Sequence, residues 1–257
     1  MDFKFILFEK KDGVARITIN RPPYNVLDIP TMKEINFALE DIKSDQQRIK
    51  LIVITNAGSK AFSAGVDVAD HTEDKVDEMI EVFHRMFRNL DSMDIPSLAI
   101  VNGVALGGGM ELAVFCDMVI ASEKSKFGQP EIKVGVYPSM VVAWLSKIIG
   151  LKKAYEMILS GDTISAKEAE QIGLINMAVP DAELEEKSEE FIKKITNNSA
   201  VVLKWAKKAV KSGLNVDFET GLKNSEVIYK YALMATYDAK EGIDAFINKR
   251  EPVWKDK

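Results

Sequence analysis

The 257-residue chain has one cysteine, Cys116, and two histidines, His71 and His84. A single thiol excludes an internal disulfide framework, and without a CxxC or HExxH pattern the usual zinc sites are absent. A reducing cytoplasm is the expected compartment. No GK[ST] sequence forms a phosphate loop, and Gly103 to Gly109 does not follow GxGxxG, which argues against ATP hydrolysis and dinucleotide binding. Neither histidine neighbours a nucleophile motif, and His84 falls within an amphipathic helix, so both read as surface or packing residues rather than members of a Ser-His-Asp triad. The opening "MDFKFILFEKKDG" has only a short apolar run broken by charges. No segment reaches the roughly 18 apolar residues of a membrane span. Neither export nor a membrane partner is expected.

What is present describes an ordinary soluble protein. Hydrophobic residues make up 47% and charged residues 28%, with a formal charge of −5. That balance lacks the basic excess of a nucleic-acid binder, and the length suits one large domain or two modest ones.

The first twenty residues read as a hairpin, "FKFILFEK" and "VARITIN" joined by the turn "KDG". Thr31 and Glu34 suggest a capping box for a helix with Met32, Ile35, Leu39 and Ile42 on one face. "IKLIVIT" is an apolar run suited to a buried strand. The loop "NAGSKAFSAGVDVAD" follows, then an amphipathic helix carrying Val76, Met79, Ile80, Phe83, Met86, Phe87 and Leu90. "SLAIVNG" is the next strand, after which "VALGGG" leads into a short helix, "MELAVF", and a further strand, "DMVIAS". Strand, glycine loop and helix thus recur twice. From Pro138 onward the chain reads as mostly helical, with a second capping box at Ser165 and Glu168, a last short strand in "INMAV", and a candidate hinge in "NNS" at 197–199. Beyond it, Phe218, Leu222, Ile228, Leu233, Ile243 and Phe246 look exposed, which implies packing on the core or on another subunit.

Two glycine loops, "FSAGVD" and "LGGGME", can each bring a backbone N–H to one site, since glycine permits close approach and a helix starting near Gly109 adds its positive end. Two such donors make an oxyanion hole. The glycines alone equally describe tight strand-to-helix turns packed together. Glu111, after "GGGM", and Glu131, in "FGQPEIKVG", are candidate carboxylates for acid–base work. Singly they read as a helix N-terminal charge and a solvated loop residue. If both face one cavity, repulsion and desolvation raise at least one pKa toward neutrality. Paired carboxylates also serve glycosidases, but that reading lacks aromatic platforms and leaves the glycine loops without a role.

Taken together, "ITINRPPYNVLD", "LIVITNAGSKAFSAGVDV", "SLAIVNGVALGGGMELAVFCDMVIAS", "FGQPEIKVGV" and "EGIDAFINKREPVW" resemble the enoyl-CoA hydratase/isomerase (crotonase) family over essentially the whole chain. The resemblance implies an α/β fold, a spiral of ββα repeats over residues 1–198 with a C-terminal helical region over 199–257 used for trimerisation. It commonly implies a hexamer of two trimers. By the same resemblance the oxyanion hole falls on the N–H groups of Val66 and Gly108, holding the thioester oxygen of an acyl-CoA. Ala64, Gly65, Asp67, Val68, Ala69 and Gly107 fall in the stretches that contact substrate and its CoA arm, with Asp67 read as structural. Glu111 and Glu131 occupy the positions of the two glutamates of the family's hydratases. Glu111 would activate water and Glu131 would protonate Cα, with no metal or other cofactor, coenzyme A entering only as part of the substrate.

The chain departs from the common pattern after Glu131, where "YPSMVVAW" replaces a glycine-rich turn. Tyr137 and Met140 there are candidates for the acyl pocket, or ordinary core. Dienoyl-CoA isomerases of the family carry an aspartate eight residues after the second glutamate, and here that position is Ser139. The leading expectation is an acyl-CoA hydratase acting on an enoyl- or dienoyl-CoA. Alternatives are a cyclic dienoyl-CoA hydratase of anaerobic aromatic degradation, a Δ3,Δ2-enoyl-CoA isomerase, or an RNA-binding or scaffold homologue.

Overall fold

A computed structural model describes residues 3–257, so the first two residues of the opening segment lie outside it. The turn at Asp12–Gly13 joins β1 (Ile6–Lys11) and β2 (Val14–Ile19) into the expected antiparallel hairpin. On β2 the alternation is strict, with Ala15, Ile17 and Ile19 fully buried. Next to it, parallel, lies β3 (Leu51–Asn56). Its residues Leu51 to Ile54 are all buried, as a strand covered on both faces requires. Each such side chain contributes about 1.5–3 kcal/mol relative to exposure. Strands β5 (Ser97–Val101), β7 (Met118–Ser122) and β10 (Met177–Val179) complete a six-stranded sheet in the order β1-β2-β3-β5-β7-β10.

A second sheet is built from strands of three residues each, β4 (Ala61–Ser63), β6 (Val104–Leu106), β8 (Lys126–Gly128) and β9 (Thr163–Ser165), in that order. β4, β6 and β8 run parallel, and β9 is antiparallel to β8. The stretches read from sequence as glycine loops therefore each contain a strand. Three residues are too few for a period of two to show. After the hairpin, whose two strands both lie in the large sheet, the next turns each place one strand in the large sheet, one in the small sheet, and then a helix. The first three helices are α1 (Ile29–Ser44) after the hairpin, α2 (Val76–Ser92) after β3 and β4, and α3 (Gly108–Phe115) after β5 and β6.

Two capping expectations need correction. Asp28, not Thr31, caps α1 and accepts from the Thr31 N–H at 3.0 Å, with Pro30 in the first turn. Proline preset for helical φ moves the start three residues upstream. Glu34 instead accepts from the N–H groups of Lys4 and Phe5, at 3.0 and 2.8 Å. Ser165 does cap α6 (Ala166–Gln171), but the Glu168 carboxylate turns to Lys153 at 2.8 Å and leaves the box half formed.

The rest of the chain is helical as expected: α4 (Val141–Ile149), α5 (Leu151–Ser160), α7 (Leu184–Thr196), α8 (Ala200–Ser212), α9 (Phe218–Val227) and α10 (Tyr237–Ile247). The "NNS" segment is a capped joint rather than an open hinge. The Asn198 amide donates to the Lys194 carbonyl at 3.0 Å, and Ser199 caps α8. The final residues fold back over this joint. Trp254 Nε1 donates to the Asn197 carbonyl at 2.9 Å, and buried Asp238 accepts from the N–H groups of Lys255 and Asp256, each at 2.8 Å. Among the described residues no helix is long and apolar enough to cross a membrane.

Candidate active site

Three adjacent parallel strands, β4, β6 and β8, end on the same side of the small sheet, and each continues into one of the stretches singled out above. β4 runs into Ala64, Gly65 and Val66; β6 runs into Gly107 and Gly108; β8 runs into Gln129, Pro130 and Glu131. Carboxyl ends of parallel strands are where such sheets collect ligand groups. A cavity of about 530 Å³ opens there, lined by Gly65, Val66, Gly108, Glu111, Glu131 and Ser139 among others. Its apolar walls come from α2, through Val76, Met79, Ile80 and Phe83, and from Val134, Val136 and Tyr137. Ile80, read as part of the packed face of α2, is 40% exposed because it faces this cavity.

The three consecutive glycines have distinct steric reasons. Gly107 sits at φ +50°, and a Cβ there would come within 2.6 Å of Glu131 Oε1. A Cβ on Gly109 would meet the Ser63 carbonyl oxygen at 2.4 Å, so α3 could not lie this close to β4. Between them, Gly108 is the first residue of α3, where the N–H has no partner inside the helix. Among the described residues neither the Gly108 N–H nor the Val66 N–H has a hydrogen-bond acceptor, and both residues line the cavity. The glycine stretch is thus a packed turn and a donor site at once.

Glu111 is the only charged residue of α3, an eight-residue helix that is otherwise apolar or glycine, and it is 2% exposed. Its carboxylate does not serve its own helix. Oε1 accepts from the N–H groups of Met140 and Val141 at the start of α4, each at 2.8 Å. Burial pushes its pKa up from 4.5 to about 7, the nearby Glu131 charge adds to the rise, and the two N–H bonds oppose it. Glu131, in the short 3₁₀ turn Pro130–Val134, is likewise raised by burial to about 7. The structure brings the two carboxyls, twenty residues apart in the chain, to one cavity with both near neutrality.

Other candidates fall in different places. Ala64, Gly65 and Val68 line the cavity. Asp67 caps the short turn Val68–Asp70 by accepting from the Ala69 N–H at 3.0 Å, so its carboxylate is used by the backbone. Tyr137 lines the cavity and is 66% exposed. Of the two readings left open for Met140, acyl pocket or core, its side chain takes the core, and only its N–H reaches the site. His71 is also more than a surface residue, since it lines the cavity with Nδ1 3.0 Å from the Asp67 carbonyl oxygen. His84 Nε2 lies 2.7 Å from Ser139 Oγ. No carboxylate among the described residues bonds the His84 ring, so no triad forms.

Sequence reasoning missed Gln129. With its amide nitrogen toward Glu131, this buried side chain donates to Oε1 and Oε2 at 3.2 and 3.1 Å, while the opposite orientation would set oxygen against oxygen. Its place two residues before Glu131, at the end of β8, was the available signal. No cluster of three or more His, Cys, Asp or Glu side chains among the described residues is arranged to hold a metal ion.

A ββα spiral whose small sheet opens on such a cavity is the crotonase fold. The family model for enoyl-CoA hydratase/isomerase matches residues 9–257, and the chain belongs to that family. It is 35% identical to the short-chain-enoyl-CoA hydratase of Clostridium acetobutylicum, over 98% of this chain and 97% of that protein. It is 38% identical to a probable enoyl-CoA hydratase of Rhizobium meliloti, over 99% of both. The crystal structure of enoyl-CoA hydratase from Bacillus anthracis superposes with a TM-score of 0.93 at 32% identity, covering 99% of this chain and 100% of that one.

Proposed function

We propose that the protein is an acyl-CoA hydratase, adding water reversibly across the C=C of an enoyl- or dienoyl-CoA thioester. One observation carries this reading: two carboxyls with pKa values near 7 share a cavity with two N–H groups that the fold leaves free. The Val66 and Gly108 N–H groups receive the thioester oxygen and stabilise the enolate charge that develops when water adds at Cβ. A single such donor is worth about 2.7–4 kcal/mol of transition-state stabilisation. Ionised Glu111 deprotonates the water, and protonated Glu131 delivers a proton to Cα. Gln129 holds the Glu131 carboxyl, and Gly107 gives it room.

Ala64, Gly65, Asp67, Val68, Ala69 and Gly107 form the approach for the CoA arm, and Tyr137 with Phe83 bounds the acyl group. The steps are proton transfers and charge stabilisation by backbone donors, so this mechanism calls for no resident cofactor. Residues 199–257 serve as the oligomerisation region of a homotrimer or a dimer of trimers. Support comes from Val210, Phe218, Phe246 and Ile247, which stand 69%, 81%, 86% and 70% exposed in the single chain. Light scattering of the purified protein should give a multiple of three, and a monomer would contradict this assignment. A single buried cysteine suits a cytoplasmic setting.

The test of the reaction is to incubate the protein with linear and cyclic enoyl- and dienoyl-CoA thioesters and identify products by mass spectrometry. Products one water heavier are expected, with the rate of formation lowered by about 10²–10⁴ in Glu111→Gln and Glu131→Gln. Double-bond migration without hydration would replace the hydratase by an isomerase, and no turnover with retained RNA binding would replace the enzyme by a scaffold.

A further inference from the structure

The hydrogen bond between His84 and Ser139, 2.7 Å long, joins α2 to the segment before α4 beside the cavity that Ser139 lines. His84 projects from α2, beside the Phe83 that lines the cavity, with ring centroids 5.8 Å apart. Ser139 is the residue before Met140, and the Met140 and Val141 N–H groups are the donors that hold Glu111 Oε1. Among the described residues Glu111 makes no other side-chain hydrogen bond, so the direction of its carboxylate follows the position of the α4 N-terminus. Pro138 and the Met140 side chain are buried at that end of α4, but few side-chain polar contacts direct it. The segment leading into it passes through Gly135, which stands in open space, and the exposed Val136 and Tyr137. No side-chain cap holds Met140. Apart from the Met140 N–H bond to Glu111, the Ser139–His84 bond is the one side-chain hydrogen bond within residues 134–140 among the described residues. Further along, α4 is anchored by buried Val141 and Leu145 and by Trp144 against Phe115, with ring centroids 5.4 Å apart.

We propose that His84 and Ser139 are positioning residues for Glu111: their bond ties α2 to the start of α4 and so aims the two N–H groups that orient the carboxylate. Burial, with Arg88 nearby, lowers the His84 pKa. The ring is therefore neutral at neutral pH and can pair with the hydroxyl in either tautomer. A pair that sets geometry should act on turnover more than on binding. Misplacing a reacting group by about 1 Å costs on the order of 10²-fold.

The proposal rests on the hydratase reading for its kinetic arm only. Ser139→Ala and His84→Ala should each lower kcat by roughly 10- to 100-fold with KM little changed. The double variant should lose no more than the worse single, because both remove one bond. Ser139→Thr and His84→Gln, which keep a hydroxyl and a nitrogen in place, should recover most of the loss. A second readout needs no turnover. In pH-difference infrared spectra the carboxyl band that disappears in Glu111→Gln should titrate at higher pH in Ser139→Ala and His84→Ala, because loosened N–H bonds no longer favour the charged form. Glu131, His71 and Lys133 share the cavity, and Arg88 faces His84; the Glu111→Gln spectrum separates Glu111 from all of them. An unmoved Glu111 titration in folded variants would overturn the proposal. So would additive losses, or a loss confined to KM or to one acyl length, which would mark a substrate contact instead. If the infrared shift appears while no enoyl-CoA is hydrated, the positioning role stands and the hydratase reading falls.

Discussion

Replacing Glu111 by glutamine should stabilise the protein while disabling it, and the gain should depend on pH. The carboxyl is 2% exposed, and its pKa rises from 4.5 to about 7 in the folded protein. Because the folded value lies above the unfolded one, its favourable contribution is complete below about pH 4.5 and is lost as pH rises through 7. A rise of that size corresponds to roughly 3 kcal/mol at 1.36 kcal/mol per pH unit. Glutamine keeps an oxygen for the Met140 and Val141 N–H groups but carries no charge. The stability of Glu111→Gln relative to the parent should therefore grow by roughly 2–3 kcal/mol between pH 5 and pH 8. For a chain of this size that is roughly 5–10 °C in Tm. The assay is urea or thermal unfolding of both proteins at the two pH values and at one protomer concentration, since subunit association also shifts apparent stability. A stability difference that does not change with pH would refute the assignment of a raised pKa to Glu111. Over the same range kcat should be lower by about 10²–10⁴ in the variant.

Further outcomes follow from the same geometry. The profile of kcat/KM against pH should be bell-shaped with its maximum near pH 7, because Glu111 must be ionised while Glu131 is protonated and both titrate near 7; a flat profile from about pH 6 to 8 would contradict the pair. Gly107→Ala should place a methyl 2.6 Å from Glu131 Oε1, lowering kcat on the order of 10²-fold with little change in KM, as measured by steady-state kinetics. Asp238→Ala strips the buried acceptor from the Lys255 and Asp256 N–H groups. It should cost roughly 2–4 kcal/mol in chemical denaturation, and an unchanged midpoint would show that the C-terminal tail is held by other contacts.

Legibility from sequence followed the length of each signal. The long strand β3 and the helix α2 were readable because a run of four buried residues, or five buried positions at helical spacing, leaves an unmistakable pattern. The small sheet was not, since β4, β6 and β8 have three residues each. That omission hid the reason the site exists, because these strands carry Val66, Gly108 and Glu131 to one edge. Capping was misjudged at Thr31 because two acceptors three residues apart both fit, and the choice fell to Pro30 and to the competing use of Glu34 by the N-terminal backbone. Met140 is a similar case. An apolar residue after Glu131 suited a pocket wall and the core alike; in the fold its side chain joins the core and its N–H joins the site.

By itself the sequence determined the secondary-structure rhythm, the apolar faces that drive folding, and the residue types available for chemistry: two carboxyls, two glycine stretches, and no thiol or histidine motif. These are local properties, set by backbone propensity and by the period at which apolar side chains recur. Only the tertiary structure decided that Glu111 turns away from its own helix to the N-terminus of α4, that Gly107 must lack a side chain because Glu131 stands there, and that His84 meets Ser139 beside the cavity. Each depends on groups 24 to 55 residues apart in the chain. Their burial, charge and hydrogen bonding come into being only when the strands are stacked side by side, because desolvation and close contact belong to the folded neighbourhood and not to any one segment.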